Sequence, residues 1–142
     1  MTESTPVVRF VNPGTLPTPP GYTQVVDASG GRTVYIAGQV ALDERGQLVG
    51  AGDFAAQVRQ AFENVRRALE AVGMTFEHVV KIGMFVTDIA HIPALREVRD
   101  EFVNTAQPPA STAVQVAALF RPEFLFEVDA IAVGPTQAES EK

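Results

Sequence analysis

The segment that most constrains the fold of this chain is an amphipathic stretch bounded by Asp53 and Gly73. Its apolar side chains recur at the 3.6-residue spacing of an α-helix, and charged side chains occupy the opposite side. The apolar set is Phe54, Val58, Ala61, Phe62, Val65, Leu69 and Val72. Asp53 suits the N-cap, and Gly73 suits the position just after the last turn. The pattern therefore predicts a helix that covers a sheet with one face only.

Segments typical of β-strands lie on both sides of this helix. The predicted strands are residues 7–11, 33–37, 79–87, 111–119 and 124–133. Residues 27–32 contain two consecutive glycines and predict a turn before the second strand. A second helix is predicted to begin at Pro93 and to carry Leu95, Val98 and Phe102 on its apolar side. The order ββαβαββ predicts an α+β fold with both helices on one face of an antiparallel or mixed sheet.

The sheet face away from the helices needs cover as well. We expect Val114, Val116, Phe126 and Val128 on it, and these side chains are too apolar for open water. Self-association of the chain would cover them.

Charge and composition exclude several classes of function. A net charge of −6 repels a phosphate backbone, so we expect no nucleic-acid partner. The absence of cysteine excludes disulfides and thiol chemistry and suits a reducing compartment. No apolar run approaches the roughly 18 residues of a membrane span, and residues 1–4 do not resemble a signal peptide. We therefore expect a cytoplasmic, non-membrane protein with one domain over 1–142, a core at 20–133 and a polar tail, 134–142, that frays.

Two acidic residues are the first candidates for chemistry. Glu127 and Asp129 are two residues apart on a predicted strand, so both side chains leave the same face, roughly 7 Å apart. Such a pair is able to act as general acid and base. A solvated or ion-paired strand face is the commoner meaning of the same pattern.

Two arginines on the second helix are the next candidates. Helical phase places Arg99 beside the apolar stripe, where a guanidinium is able to bind a carboxylate in a pocket, with Arg96 three residues away. The alternative is an ordinary charged helix face, in which Arg96 pairs with Asp100. His78 and His91 are not at a metal-binding spacing, so we predict no metal site.

Several short motifs recur in a fixed order along residues 20–133. They are Gly21-Tyr22-Thr23-Gln24-Val25, Ile36-Ala37-Gly38-Gln39-Val40, the helix pattern from Gln57 through Glu63-Asn64-Val65 to Gly73, Val80-Lys81 with Phe85-Val86 and Asp88, Pro109-Ala110, and Phe126-Glu127-Val128-Asp129-Ala130-Ile131-Ala132. In their order and spacing together, they resemble the Rid (reactive intermediate deaminase, YjgF-like) family. The resemblance implies a chorismate-mutase-like fold, a homotrimer with pockets between neighbouring subunits, and no metal or organic cofactor.

The resemblance also implies which residues form the pocket. In deaminases of the family, an arginine in a Pro-Ala-Arg-Ser stretch binds the substrate carboxylate, and a glutamate on the last strand positions the hydrolytic water. Here Ser111 stands at the arginine position, whereas Glu127 matches the glutamate. Ala113 replaces a frequent cysteine of the same pocket.

Further pocket positions follow from the same comparison. Tyr22 and Gly38 match a tyrosine and a glycine of the family's pocket, and Ala37 replaces a serine. Arg96 matches a pocket asparagine and Arg99 a nearby tyrosine, so these arginines are candidates for a relocated anion site.

We therefore predict a hydrolase or deaminase that acts on an imine, enamine or amide-like C–N bond of a small molecule, with an anion as the candidate ligand. Glu127 would activate water, and Tyr22 with an arginine would hold the substrate. Hydrolysis of generic 2-imino acids should be weak or absent, because Ser111 cannot grip a carboxylate bidentately. The alternative is a non-catalytic trimer that binds a metabolite or a protein. Ribonuclease activity ranks last because of the acidic surface.

Overall fold

A computed structural model describes residues 4–136, in which three strands rather than the predicted two precede the first helix. The strands are β1 (Val7–Val11), β2 (Val25–Ser29), β3 (Arg32–Gln39), β4 (Val79–Val86), β5 (Ala110–Gln115) and β6 (Phe126–Gly134), and the helices are α1 (Phe54–Ala71) and α2 (Ile92–Arg99). Short 3-10 helices, Phe76–His78 and Ile89–His91, lead into β4 and α2. The predicted α+β class, with two helices packed on a mixed sheet, is confirmed.

The strand that the sequence did not reveal is β2. It pairs antiparallel with β1 in a separate two-stranded sheet, where Arg9 lies opposite Asp27 and their side chains form a 2.6 Å ion pair. The turn predicted over residues 27–32 is confined to Gly30 and Gly31, which have φ values of +77° and +70°. Both values favour glycine, as expected for a two-residue turn between strands.

Helix α1 forms as its sequence predicts. The Asp53 side chain accepts a hydrogen bond from the Ala56 backbone N–H, 3.1 Å away, and caps the first turn. At the other end Gly73 adopts a φ of +73°, and the Met74 N–H donates to the Leu69 carbonyl to close the helix. Every predicted apolar residue of α1 except the C-cap Val72 is buried.

The main sheet has the strand order β3-β6-β4-β5, in which only β4 and β5 run parallel. Its core face packs against α1, and α2 lies beside α1. The core joins Phe62 of α1 to Phe126 of β6, whose ring centroids are 5.9 Å apart, and Leu95 and Val98 of α2 are buried in the same cluster. Burying these side chains on one face explains why both helices lie on the same side of the sheet.

The opposite sheet face, here called the open face, carries only part of the predicted set: Val114 lies on it, beside Phe85. Phe126 and Val128 are fully buried against the helices, so their expected place on the open face was wrong. Strand alternation puts Glu127, Asp129 and Ile131 there instead. Tyr35, which lies opposite Ile131 on β3, is 77 % exposed. The open face thus combines carboxylates with uncovered apolar surface.

The two ends of the described chain lie together. The Thr136 N–H donates to the Ser4 carbonyl over 2.9 Å, and β6 runs to Gly134. Residues 137–142, most of the segment predicted to fray, lie outside the described residues. Within residues 4–136, no helix is both long and apolar enough to cross a bilayer.

Candidate functional site

A cavity of about 320 Å³ opens between α2 and the edge strand β5; we call it the α2–β5 cavity. Its lining comprises Pro20, Tyr22, Met84, Ile92, Leu95, Arg96, Arg99, Ser111, Thr112 and Ala113. Five of the predicted site residues therefore come together: Tyr22, Arg96, Arg99, Ser111 and Ala113. The remaining three, Ala37, Gly38 and Glu127, do not line this cavity.

Thr23 brings Tyr22 to the cavity. Its N–H donates to the Pro109 carbonyl over 3.3 Å, and its hydroxyl donates to the Pro108 carbonyl over 2.5 Å. Thr23 is 2 % exposed, so water does not compete for these bonds. Because Pro109 leads directly into β5, the bonds fix Tyr22 beside the strand that carries Ser111. Only its place in the Gly21–Val25 motif pointed to Thr23, and nothing in that motif indicated this role.

Arg99 is a buried cation in the cavity wall. The residue is 6 % exposed, and its Nε donates to Asp100 Oδ1 over 3.0 Å. Its Nη2 lies 2.9 Å from where a Cβ would stand on Gly21, which has a φ of +92°. Gly21 is thus required twice, for its backbone conformation and for the space that the guanidinium occupies. The alternative, a pair between Arg96 and Asp100, is not formed, because Asp100 binds Arg99 instead.

Arg96 has a different environment from Arg99. It is exposed, one helical turn away, and lines the mouth of the same cavity. Among residues 4–136, no carboxylate lies within ion-pair distance of it. Arg96 is therefore available to a ligand, whereas Arg99 is held in place by its neighbours.

Glu127 lies on the open face, over the neighbouring strand β3. A Cβ on Gly38 would stand 2.0 Å from Glu127 Oε2, so the absence of a side chain at Gly38 makes room for the carboxylate. Gly38 belongs to a bulge, because the β3–β6 register shifts between Ile36 and Gln39. Gly38 and Glu127 are thus in direct contact, and Ala37 shares the bulge.

Asp129 leans the other way, over β4. Its Oδ1 accepts the Gly83 N–H over 3.1 Å and would be 2.5 Å from a Cβ on Gly83. Glu127 and Asp129 therefore share a face, as predicted, but their carboxylates lie over opposite neighbouring strands. The geometry favours two separate roles over a paired acid and base.

Strand register separates Glu127 from the cavity residues of its own chain. Ser111 lies opposite Ile82, which is 1 % exposed and faces the helices. Glu127 lies opposite Phe85, on the open face. Ser111 and Glu127 consequently belong to opposite faces of one sheet, two strand positions apart. A single copy of the chain does not bring the predicted substrate-binding and water-activating groups together.

The acidic and imidazole side chains do not form a metal centre within residues 4–136, where no three of them cluster. His78 Nδ1 accepts the Thr75 N–H over 3.0 Å and closes a capping box, which is a structural role. The ring of His91 stacks on Phe54 with centroids 4.5 Å apart.

Two helices on a mixed sheet, with a polar cavity at the sheet edge and a carboxylate on the open face, define a chorismate-mutase-like α+β protein. Residues 15–134 match the family model described as Endoribonuclease L-PSP. The chain belongs to this family, which is also called the Rid or YjgF family, and the resemblance found in the sequence is confirmed.

Individual relatives agree with this assignment. Protein DfrA of Myxococcus xanthus is 38 % identical over 112 residues, which are 79 % of this chain and 84 % of that protein. The 2-iminobutanoate/2-iminopropanoate deaminase of Mus musculus is 39 % identical over 116 residues, 80 % and 82 % of the two chains. The crystal structure of YyfB from Yersinia pestis, a Rid protein of unknown function, superposes with a TM-score of 0.78 at 33 % identity, covering 89 % of this chain and 98 % of YyfB.

Proposed function

We propose that the chain is a hydrolase of C–N bonds, acting on a small imine or enamine in a site that two copies of the chain form together. The observation that carries the proposal is the separation of Glu127 from the α2–β5 cavity by the sheet itself. A neighbouring copy that packs its open face against the cavity edge would supply the missing carboxylate. The exposed Tyr35 and the half-buried Phe85 and Ile131 favour such packing, because they leave apolar surface in water. A closed trimer, as the family resemblance implies, would repeat the site in every copy.

The chemistry follows from the groups that would meet. Tyr22 and an arginine of the α2–β5 cavity hold the substrate, and Glu127 of the adjacent copy accepts a proton from water. The water oxygen bonds to the imine carbon and gives a carbinolamine. Glu127 delivers the water proton to the nitrogen in this addition. It then takes the hydroxyl proton of the carbinolamine and passes it to the same nitrogen, the C–N bond breaks, and a carbonyl compound and ammonia leave. The names of the deaminase relatives support this reaction class.

The test is hydrolysis of imines that an amino-acid oxidase generates in situ, followed as ammonia release above the uncatalysed rate. Glu127→Gln keeps the shape of the side chain but cannot accept a proton at neutral pH. We expect it to lose about 100- to 10,000-fold in kcat while the assembly stays intact by light scattering. Asp129→Asn, a matched change on the same face, should keep most of the activity. Equal activity of wild type and Glu127→Gln would refute the proposed mechanism.

Ser111→Arg tests whether the activity has moved to other substrates. If the wild type does not hydrolyse the imines of alanine and leucine and Ser111→Arg does, the cavity is adapted to a different anion. If neither protein hydrolyses any imine and a metabolite still binds, the chain is the non-catalytic binding trimer instead.

A further inference from the structure

The lining of the α2–β5 cavity differs in charge from the rest of the protein. The chain has 17 acidic residues against 11 lysines and arginines. The cavity lining contains Arg96 and Arg99 but no carboxylate. A site with two cations in an acidic protein attracts anions locally while the surface around it repels them.

Arg99 is built as a fixed anion anchor. Asp100, whose side chain is 48 % exposed, accepts a hydrogen bond from Nε over 3.0 Å, and the same oxygen, Oδ1, forms a 3.0 Å ion pair with Nη2. In the described residues, no fully buried side-chain nitrogen or oxygen lacks a hydrogen-bond partner. Nη1 donates no hydrogen bond within residues 4–136, so it must reach accessible space, and the cavity that Arg99 lines provides it. The space that a side chain at Gly21 would take is left to the guanidinium, because a Cβ there would stand 2.9 Å from Nη2.

Arg96 offers a second, mobile cation. Its Cβ is roughly 5–6 Å from that of Arg99, the usual distance between positions three apart on a helix. Because Arg96 is exposed and its side chain is long, its guanidinium is able to reach the second carboxylate of a short dicarboxylic acid whose first carboxylate is on Arg99, and the volume of about 320 Å³ admits such a molecule. Tyr22 and Ser111 add hydroxyl groups to the same lining, whereas the Thr112 hydroxyl is bound by Lys81 Nζ over 2.9 Å.

We infer that the α2–β5 cavity binds a dianion, the imine or enamine of a short dicarboxylic amino acid, with one carboxylate on Arg99 and the other on Arg96. The inference rests on the proposed function for the C–N bond. The binding of two carboxylates is testable without any reaction. The substrate class then differs from monocarboxylic imines by its second anionic group, which Arg96 recognises.

The binding experiment uses unreactive acids and isothermal titration calorimetry on the intact protein at constant ionic strength. Malonate, succinate and glutarate are compared with propionate, butyrate and valerate. We expect the best dicarboxylate to bind roughly 10- to 100-fold more tightly than the monocarboxylate of similar length. Arg96→Gln should abolish this preference, whereas Arg99→Gln should weaken both classes. Arg45→Gln, which removes the same charge from an exposed loop residue, should change neither.

Two results would overturn the inference: equal affinity of the wild type for both classes, or the same loss in Arg45→Gln as in Arg96→Gln. If Arg99→Gln does not fold, the exposed Arg96→Gln still decides the question.

A reaction assay separates the two proposals. It compares imines generated from aspartate and glutamate with imines from alanine and leucine. If Glu127-dependent hydrolysis is confined to the imines from alanine and leucine, the dianion inference is refuted and the proposed hydrolase function stands. Tight, Arg96-dependent dicarboxylate binding without hydrolysis of any imine would refute the hydrolase and leave the dianion site.

Discussion

Replacing Gly38 with alanine should move the Glu127 carboxylate without changing Glu127 itself. The new Cβ would stand 2.0 Å from Oε2, 2.8 Å from the carboxyl carbon and 3.2 Å from Cγ. Ordinary contact begins near 3.4 Å, so the carboxylate oxygen must move by about 1.4 Å. The φ of Gly38 is not positive, so alanine suits the backbone and the conflict is with the side chain alone.

The expected effects on stability and activity differ in size. A displaced but flexible side chain costs about 0.5–1.5 kcal/mol, a fall in Tm of a few degrees. A displacement of about 1 Å in a reacting group costs roughly 100-fold in rate. Ammonia release, thermal unfolding and light scattering on the same samples separate the two effects and report the assembly.

Two other glycines provide controls. Gly83→Ala meets Asp129 Oδ1 at 2.5 Å, so it disturbs the neighbouring carboxylate of the same face. Gly14→Ala meets nothing within 4 Å. Only Gly38→Ala should lose most of its activity. Full activity in Gly38→Ala, or an equal loss in Gly83→Ala with both assemblies intact, would show that the position of the Glu127 carboxylate does not govern the reaction.

Two further predictions concern stability. Gln57 is fully buried; its side chain donates to the Gly50 and Glu123 carbonyls and accepts a hydrogen bond from the Leu125 N–H. Gln57→Leu leaves these groups without a partner and should lower the free energy of unfolding by about 3 kcal/mol in urea titrations. A loss below about 1 kcal/mol would contradict this expectation. The hydrogen bond from Arg59 lowers the pKa of Glu101 in the folded protein. This hydrogen bond should add a small amount to the free energy of unfolding at neutral pH, and the gain should be lost as pH falls through the lowered pKa. The free energies of unfolding of wild type and Glu101→Gln should therefore differ at pH 7 and converge in acid. If the difference in free energy of unfolding stays constant as the pH falls, it does not come from the charge of Glu101.

Local signals explain why some elements were predictable. The spacing, N-cap and terminal glycine of α1 all lie within one stretch of sequence, and the helix begins and ends where they indicate. Strand β2 was missed because its residues stay largely exposed and its partner β1 lies some 18 residues earlier, so no burial pattern marks it. Alternation in β6 predicted two faces, but only packing decides which of them meets the helices.

The candidate site divides in the same way. Helical phase was enough to place Arg99 beside the apolar stripe, and it is buried there. The partner of Asp100 could not be predicted, because Arg99 occupies the space beside Gly21, which is distant in sequence, and pairs with Asp100 there. The separation of Ser111 from Glu127 depends on the register of three strands and has no signature in either segment.

The position of Ser111 and Glu127 on opposite faces has a genetic consequence. Under the proposed assembly, a subunit with a damaged cavity still lends its carboxylate to a neighbour, and a subunit without the carboxylate still offers its cavity. Two inactive proteins, Glu127→Gln and a cavity variant such as Tyr22→Ala, should therefore complement each other when they are unfolded together and reassembled. Random mixing in equal amounts would restore roughly a quarter of the sites. Each restored site takes its cavity from one variant and its carboxylate from the other.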